Sequence, residues 1–178
     1  IESSQISLSR DKREIYITFT VNEGQKYTIK DVEVVGEIPF EEEIYINITD
    51  SLKEQTYSQA TITGIEEFFT NVLGNRGYAF AEVKGNPEVE DESNEVKLTF
   101  TIEPGKRTYT RKILFTGNEI TQDHVLRREM RQFEGAWSSD NSIEAGKVRL
   151  ERLGYFKEVS VETVPVPATD DQIDVLYS

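Results

Sequence analysis

Apolar and polar residues alternate strictly in the stretch that runs from Val96 to Gly117. Apolar side chains occupy every second position from Val96 to Ile102, with Lys or Thr between them, a period-2 pattern that is typical of a half-buried β-strand. Pro104 and Gly105 end this run, and a second strand-forming run follows from Thr108 to Phe115. By itself the stretch predicts a strand, a turn and another strand.

The same pattern occurs earlier in the chain, and this repeat changes the interpretation. Residues 15–36 match residues 96–117, with Ile15 where Val96 stands and Gly36 where Gly117 stands. The closing strand starts a third time at Ile173, and the two later copies each begin nineteen residues after a Gly-Tyr pair. A unit of about eighty residues is therefore repeated, and we expect the two strands at the joint to belong to different sheets.

Each complete repeat predicts the element order β-α-α-β-β. In the first repeat, strands are predicted at 27–35, 79–89 and 95–103, with helices at 41–53 and from a Ser58 N-cap to Gly77. In the second repeat, strands at 109–116, 156–165 and 173–177 flank a helix at 125–133 and a second helix that Ser139 caps. The fold class is α+β.

Three segments follow from the repeat: a closing hairpin of a truncated unit at 1–24, a full unit at 25–104 and a full unit at 105–178. We call the full units the first repeat and the second repeat. The hairpin lacks the helices of its unit, so its apolar face is predicted to pack on another molecule. That face is formed by Ile15, Ile17, Phe19 and Val21.

The net charge of −13 is unevenly distributed. Residues 25–105 carry 6 basic and 17 acidic side chains, which gives −11, whereas residues 106–178 carry 11 and 12. Because an acidic surface repels phosphate, we expect no nucleic-acid partner. Without an apolar run of about 20 residues or a signal-peptide pattern, we expect a piece of a longer protein.

Residues with catalytic potential are scarce. The chain has no cysteine, which excludes disulfides and thiolate chemistry, and we predict neither a metal nor a cofactor nor an enzyme. His124 is the sole histidine and is expected at the surface near a helix start. The acidic segment from Glu88 to Glu95 lacks the spacing of a calcium loop, so it is interpreted as a solvated turn.

Two features indicate binding. The strand after each Gly-Tyr pair is the natural edge of a three-stranded sheet, and such an edge can accept an incoming strand through main-chain hydrogen bonds; a solvated edge is the alternative. The candidate edge residues are Phe80, Glu82, Lys84, Phe156, Glu158 and Ser160.

The second feature is the segment VLRREMRQF at 125–133. On a helix, Leu126, Met130 and Phe133 would turn inward, Arg127 and Arg131 would share a polar face, and Glu129 would lie between them on the exposed side. A solvated face with weak ion pairs is one interpretation, and the docking of an acidic or mixed-charge protein is the other. The residues concerned are Arg127, Arg128, Glu129 and Arg131.

Together, the repeat, the FTGN after the opening strand, and VLRREMRQFEGAW followed by RLGYFKEV resemble the POTRA domains of the BamA family of bacterial outer-membrane β-barrel assembly proteins. The similarity covers the whole chain and is greatest to the last two POTRA domains, preceded by the end of another. It implies tandem domains, each a three-stranded mixed sheet covered by two helices.

The resemblance also implies a function. It predicts a periplasmic part of an outer-membrane protein that is followed by a membrane barrel and passes unfolded outer-membrane proteins to it. It further implies that a BamD-like lipoprotein docks on the second repeat, and we assign this role to Arg127, Arg128, Glu129 and Arg131. Alternatives are a POTRA module of a related secretion or translocation barrel, and a periplasmic hydrolase fragment. The linker at Glu103, Pro104 and Gly105 is predicted to set the interdomain angle.

Overall fold

The computed structural model describes residues 3–9, 13–20 and 25–178. In this part of the chain, the first two strands form a hairpin, and each following repeat has the order β-α-α-β-β. The elements are β1 (Ser3–Leu8), β2 (Ile15–Thr20), β3 (Thr28–Gly36), α1 (Glu42–Leu52), α2 (Gln59–Gly74), β4 (Glu82–Glu90), β5 (Glu95–Glu103), β6 (Tyr109–Phe115), α3 (Asp123–Arg127), α4 (Asp140–Arg152), β7 (Val161–Pro165) and β8 (Gln172–Tyr177).

Both repeats build the same mixed sheet. In the first repeat the strand order is β3-β5-β4, with β3 parallel and β4 antiparallel to the central strand β5. The second repeat has the order β6-β8-β7 with the same directions. The predicted fold class is confirmed, and the adjacent strands β5 and β6 belong to different sheets, as the repeat predicted.

The central strand of each sheet carries the core. The alternating residues of β5, from Val96 to Ile102, are at most 1% exposed, and α2 covers them with Ile62, Phe69 and Leu73. In the second repeat, β8 contributes the core residues Ile173, Val175 and Tyr177. Burying a side chain of this size stabilises a fold by about 1.5–3 kcal/mol, so the period-2 pattern that marks these strands also marks the source of stability.

The parallel strand of each repeat contains a bulge at the same place. The pairing of β3 with β5 skips Lys30, and the pairing of β6 with β8 skips Arg111. Each extra residue is a cation paired with a carboxylate on the central strand, Lys30 with Glu95 at 2.5 Å and Arg111 with Asp174 at 2.5 Å. The two repeats therefore share even this β-bulge, a local feature that is typically kept within a protein family.

The hairpin β1-β2 is amphipathic, with its apolar face uncovered in the described chain. Ile6 faces Ile17 and Leu8 faces Ile15 across the pair, and these four side chains are 56–73% exposed. Phe19 lies on the same face, whereas Val21 falls outside the described residues. That another molecule covers this face stays a prediction.

Two predicted edge strands begin later than expected. Strand β4 starts at Glu82, because residues 78–81 form a turn in which Ala81 N–H donates to the carbonyl of Tyr78. Strand β7 starts at Val161, because the preceding Phe156 and Val159 pack into the core. The candidate residues Phe80, Phe156, Glu158 and Ser160 therefore lie outside the regular strands.

The predicted helix at 125–133 is wrong in its length. Helix α3 ends at Arg127, and the chain continues in tight turns in which the N–H of Glu129 donates to the carbonyl of Leu126 at 3.0 Å. Leu126 and Met130 are buried as predicted, but Phe133 is 66% exposed.

Candidate partner-binding surfaces

Arg127 connects α3 to the outer edge of β6 through hydrogen bonds. Its guanidinium donates to the carbonyl of Ile113 at 2.8 Å, to Asp123 at 2.7 Å and to Glu134 at 3.0 Å. Glu134 in turn accepts the N–H of Ile113 at 2.8 Å. The ion pair thus satisfies both backbone groups of Ile113, as a neighbouring strand would.

The electrostatics agree with this geometry. The Ile113 N–H, followed by Arg127, holds the pKa of the Glu134 carboxyl below its usual range, and the hydrogen bond to Asp123 is the main cause that raises the pKa of Arg127. Both groups remain charged at neutral pH. A partner could bind Arg127 only in competition with the three acceptors that it already has. Arg127 is therefore less available for docking than Arg128 and Arg131.

Glu129 is not the exposed residue that helical spacing predicts. Its carboxylate accepts two hydrogen bonds from Arg149 of α4, at 2.7 and 3.1 Å, and its side chain is only 16% exposed. Because α3 ends before this position, Glu129 turns towards α4 instead of lying between Arg127 and Arg131. It ties the segment after α3 to the next helix.

Arg128 and Arg131 are the cations of this segment that face solvent. The Arg128 side chain is 65% exposed and has a single ion-pair contact, 3.4 Å from Glu129. Arg131 is exposed and forms no ion pair within the described residues. The exposed Phe133 follows them. Of the four residues predicted for docking, the structure leaves these two free to bind an anionic partner.

The outer edge of β4 is blocked in its middle. β4 pairs with β5 without interruption, so the backbone groups of alternate residues point to β5 and away from it. The Gly85 N–H donates to Glu66 of α2 at 2.6 Å, which shows that Gly85 points outward. Pro87 shares that direction and has no N–H. The candidate residues Glu82 and Lys84 have the opposite parity, so their backbone groups face β5.

The outer edge of β7 is open. Ser160 and Ser178 exchange two backbone hydrogen bonds of 2.8 and 3.1 Å across the sheet, so Ser160 faces inward and Val161 and Thr163 face outward. No hydrogen bond from a described side chain occupies their N–H groups. Pro165 ends the strand. The edge is short but unobstructed, unlike the middle of β4.

The linker is bridged by side chains as well as by backbone. Glu103 is the last residue of β5, Pro104 is buried, and Gly105 has a φ of +68°. On either side of it, Asn75 accepts the Asn141 N–H at 2.7 Å and the Thr108 hydroxyl donates to the carbonyl of Gly77 at 2.9 Å. Sequence reasoning missed Asn75 because its contact is 66 residues away.

Neither a metal centre nor a membrane helix is found in the described part of the chain. No group of three or more His, Asp or Glu side chains there could hold a metal ion. Among the same residues, no helix has the length and apolar character that crossing a bilayer requires. His124 is exposed near the start of α3, as predicted.

The chain contains two tandem mixed sheets. In each one, two helices connect the first strand to an edge strand, and comparison with known protein families identifies this arrangement. The POTRA family model, described as a surface antigen variable number repeat, matches residues 27–105 and 108–178. The chain belongs to the POTRA family, and the resemblance seen in the sequence is confirmed.

Relatives and solved structures agree with this assignment. The outer membrane protein assembly factor BamA of Buchnera aphidicola is 32% identical over 99% of this chain, and that of Neisseria meningitidis is 31% identical over 100%. The crystal structure of Haemophilus influenzae BamA POTRA3-5 matches with a TM-score of 0.88 and 30% identity, covering 99% of this chain and 70% of that one. BamA of Haemophilus ducreyi lacking POTRA domains 1-3 matches with a TM-score of 0.74 and 38% identity, over 85% of this chain and 29% of that one.

The chain spans 29% of the Buchnera protein and 22% of the Neisseria protein. POTRA domains of BamA are the periplasmic part of an outer-membrane protein, which confirms the location expected from the sequence. Both relatives are named outer membrane protein assembly factors.

Proposed function

We propose that this chain is a periplasmic scaffold that docks a BamD-like lipoprotein and guides unfolded β-barrel substrates to a membrane barrel. The observation that carries the proposal is the contrast between the two edges: β4 is interrupted in its middle by Glu66 and Pro87, while β7 offers the successive outward residues Val161 and Thr163 to an incoming strand. An assembly role is supported over secretion or translocation by the relatives at 31–32% identity, which are named assembly factors.

Strand addition at β7 suits a receptor that holds many sequences briefly. Each of the two outward residues has one N–H and one C=O, and each main-chain hydrogen bond is worth about 0.5–1.5 kcal/mol net. Such bonds do not depend on side chains, so they discriminate little among substrates. The short edge therefore gives weak binding, as a site that must release its substrate requires.

A titration of the ¹⁵N-labelled chain with a synthetic outer-membrane strand peptide tests this step. We expect amide shift changes at Val161 and Thr163 and none along β4. Thr163→Pro removes an outward N–H at an edge position that tolerates proline and should abolish the shifts, while Thr163→Ala keeps the amide and should preserve them. Shifts centred on β4, or equal behaviour of the two variants, would contradict strand addition at β7.

Docking of the lipoprotein is assigned mainly to Arg128 and Arg131, since Arg127 and Glu129 are engaged within the domain. In a calorimetric titration with a purified BamD-like lipoprotein, Arg128→Glu combined with Arg131→Glu should weaken binding by about tenfold or more, because opposed charges lose complementarity. Arg152→Glu, an exposed charge reversal at the end of α4, is the matched control. If the double variant and Arg152→Glu lose the same amount of affinity, Arg128 and Arg131 are not the docking residues.

A further inference from the structure

The two helices of the first repeat carry charge of one sign. Helices α1 and α2 contain five acidic residues and no Lys or Arg. The corresponding helices α3 and α4 carry both signs, with Arg127, Lys147, Arg149 and Arg152 among their residues. The fold of the repeat therefore does not require acidic helices, and the excess of negative charge is specific to α1 and α2.

An apolar groove lies between α1 and α2. It is an open depression of about 620 Å³ lined by Ile44, Ile48, Ile65 and Phe68, with Glu43 and Asn47 at its side. Ile48 and Ile65 form its floor, since they also pack against the core. Ile44 and Phe68 do not belong to that core cluster, and Phe68 is 43% exposed. These two apolar side chains are thus available at the surface.

Helix α2 also lacks a side chain next to the groove residues Ile65 and Phe68. Gly64 lies one helical turn before Phe68 on α2, is exposed, and has no atom within 4 Å of the position that a Cβ would occupy. Glycine in the middle of an exposed helix is unfavourable relative to alanine. A missing side chain beside an exposed Phe lets the backbone of a bound segment approach α2 closely.

We propose that this groove binds a cationic amphipathic helix of another protein, with apolar residues against Ile44 and Phe68 and Lys or Arg near Glu43, the acidic residue that lines the groove. Helix binding in a groove between helices uses apolar anchors at i, i+3 or i+4 and i+7 spacing. Charge complementarity selects a basic partner. Anionic lipid headgroups and nucleic acids carry the same sign as the groove, so they are repelled.

This surface is separate from those of the proposed function, which lie in the second repeat. The test uses a 14-residue Leu/Lys amphipathic helix as probe and a Leu/Glu helix of the same pattern as control, each titrated into the ¹⁵N-labelled chain. We expect saturable shifts at Ile44, Ile48, Ile65 and Phe68 with the Leu/Lys probe, weakened by added salt. The Leu/Glu helix should cause none.

Variants sharpen the test. Phe68→Ser should weaken binding of the Leu/Lys probe by about tenfold or more, because it removes a large apolar contact from the groove, and Glu43→Lys should weaken it as well. Ile46→Ser is the matched control, since Ile46 is 42% exposed on α1 but does not line the groove. Equal binding of both probes, equal effects of Phe68→Ser and Ile46→Ser, or shifts confined to β7 would each overturn the proposal.

Discussion

At the scale of single residues, the two mid-helix glycines have opposite surroundings. A Cβ at Gly64 would meet nothing within 4 Å, whereas one at Gly146 would lie 2.6 Å from the Tyr177 hydroxyl oxygen. Gly64→Ala should therefore raise the free energy of unfolding by about 0.5–1 kcal/mol, the usual helix preference for alanine. Urea unfolding followed by circular dichroism measures this change, and a stability below that of the unmodified chain would contradict the expectation.

Gly146→Ala should have the opposite sign. Tyr177 is 2% exposed and its hydroxyl donates to the carbonyl of Ile143 at 2.8 Å, so the ring cannot move aside without losing that bond. We expect a loss of about 1–3 kcal/mol, as for other overpacked sites. Fluorescence of Trp137, the sole tryptophan, reports unfolding of this repeat, and a stability at or above that of the unmodified chain would contradict the expectation.

Tyr177 also predicts a pH dependence. Burial, followed by the charge of Glu144, raises the pKa of its phenol from 10.0 to about 12. The folded state thus keeps a proton that the unfolded state loses, so the contribution to stability is complete below about pH 10 and disappears as the pH rises to about 12. The difference in unfolding free energy between the unmodified chain and Tyr177→Phe should shrink across that interval, and a constant difference would contradict it.

Residue-level features were predictable from sequence where the cause is local. Gly146 leaves room for close approach, and Ser139 caps α4 by accepting the Ser142 N–H, as predicted. Ser58 has the extended backbone of an N-cap, but its side chain makes no capping hydrogen bond. A cap residue offers an acceptor, while the rotamer that uses it depends on surrounding side chains that sequence spacing does not define.

At the scale of elements, the short helix α3 depends on Arg127 for its position. Arg127→Ala removes donors to Ile113, Asp123 and Glu134 and leaves the Ile113 carbonyl without a partner. We expect a loss of about 1–3 kcal/mol. Arg131→Ala is the matched control and should change stability by less than about 0.5 kcal/mol, as exposed substitutions do. If urea unfolding shows similar losses of stability for Arg127→Ala and Arg131→Ala, the hydrogen bonds of Arg127 do not stabilise the domain.

The early end of α3 was not predictable from the segment itself. Residues 123–133 contain neither Pro nor Gly, so propensity allows a longer helix, and Leu126 and Met130 have helical spacing. Contacts with residues outside the segment override this: Glu134 accepts the Ile113 N–H, and the Gln132 side chain donates to the carbonyl of Trp137 and accepts the Ser139 N–H. The strands were predictable because their alternation directly records burial.

The same distinction applies to the edge strands. Gly-Tyr spacing predicted β4 and β7 as edges, and the sheet order confirms it. Alternate residues of an edge strand direct their backbone groups outward. A register shift of one residue would exchange the outward and the inward set. Parity, together with the Glu66 contact to Gly85, appears only in the folded chain, so the sequence could not separate the blocked edge from the open one.

At the scale of the whole molecule, the two repeats are joined by more than the linker. The contacts of Asn75 and Thr108 cross the joint, and Arg107 donates to the carbonyl of Arg76 at 2.7 Å while its guanidinium lies 4.2 Å over the Trp137 ring. Ala79 of the first repeat also packs against the core of the second. The prediction named Glu103, Pro104 and Gly105 as the residues that set the interdomain angle, and these side-chain contacts act on the same joint.

The two sources of rigidity can be separated by experiment. Replacing Pro104-Gly105 with a flexible Gly-Ser insert lengthens the connection, but the side-chain contacts across the joint should restrain the repeats and keep the small-angle scattering profile close to that of the unmodified chain. Asn75→Ala with Thr108→Val removes the hydrogen bonds of both side chains to the opposite repeat. Added to the insert, this pair should broaden the distribution of interdomain distances. A broad distribution with the insert alone would instead assign the angle to Pro104-Gly105, because the contacts would then be too weak to hold the repeats together.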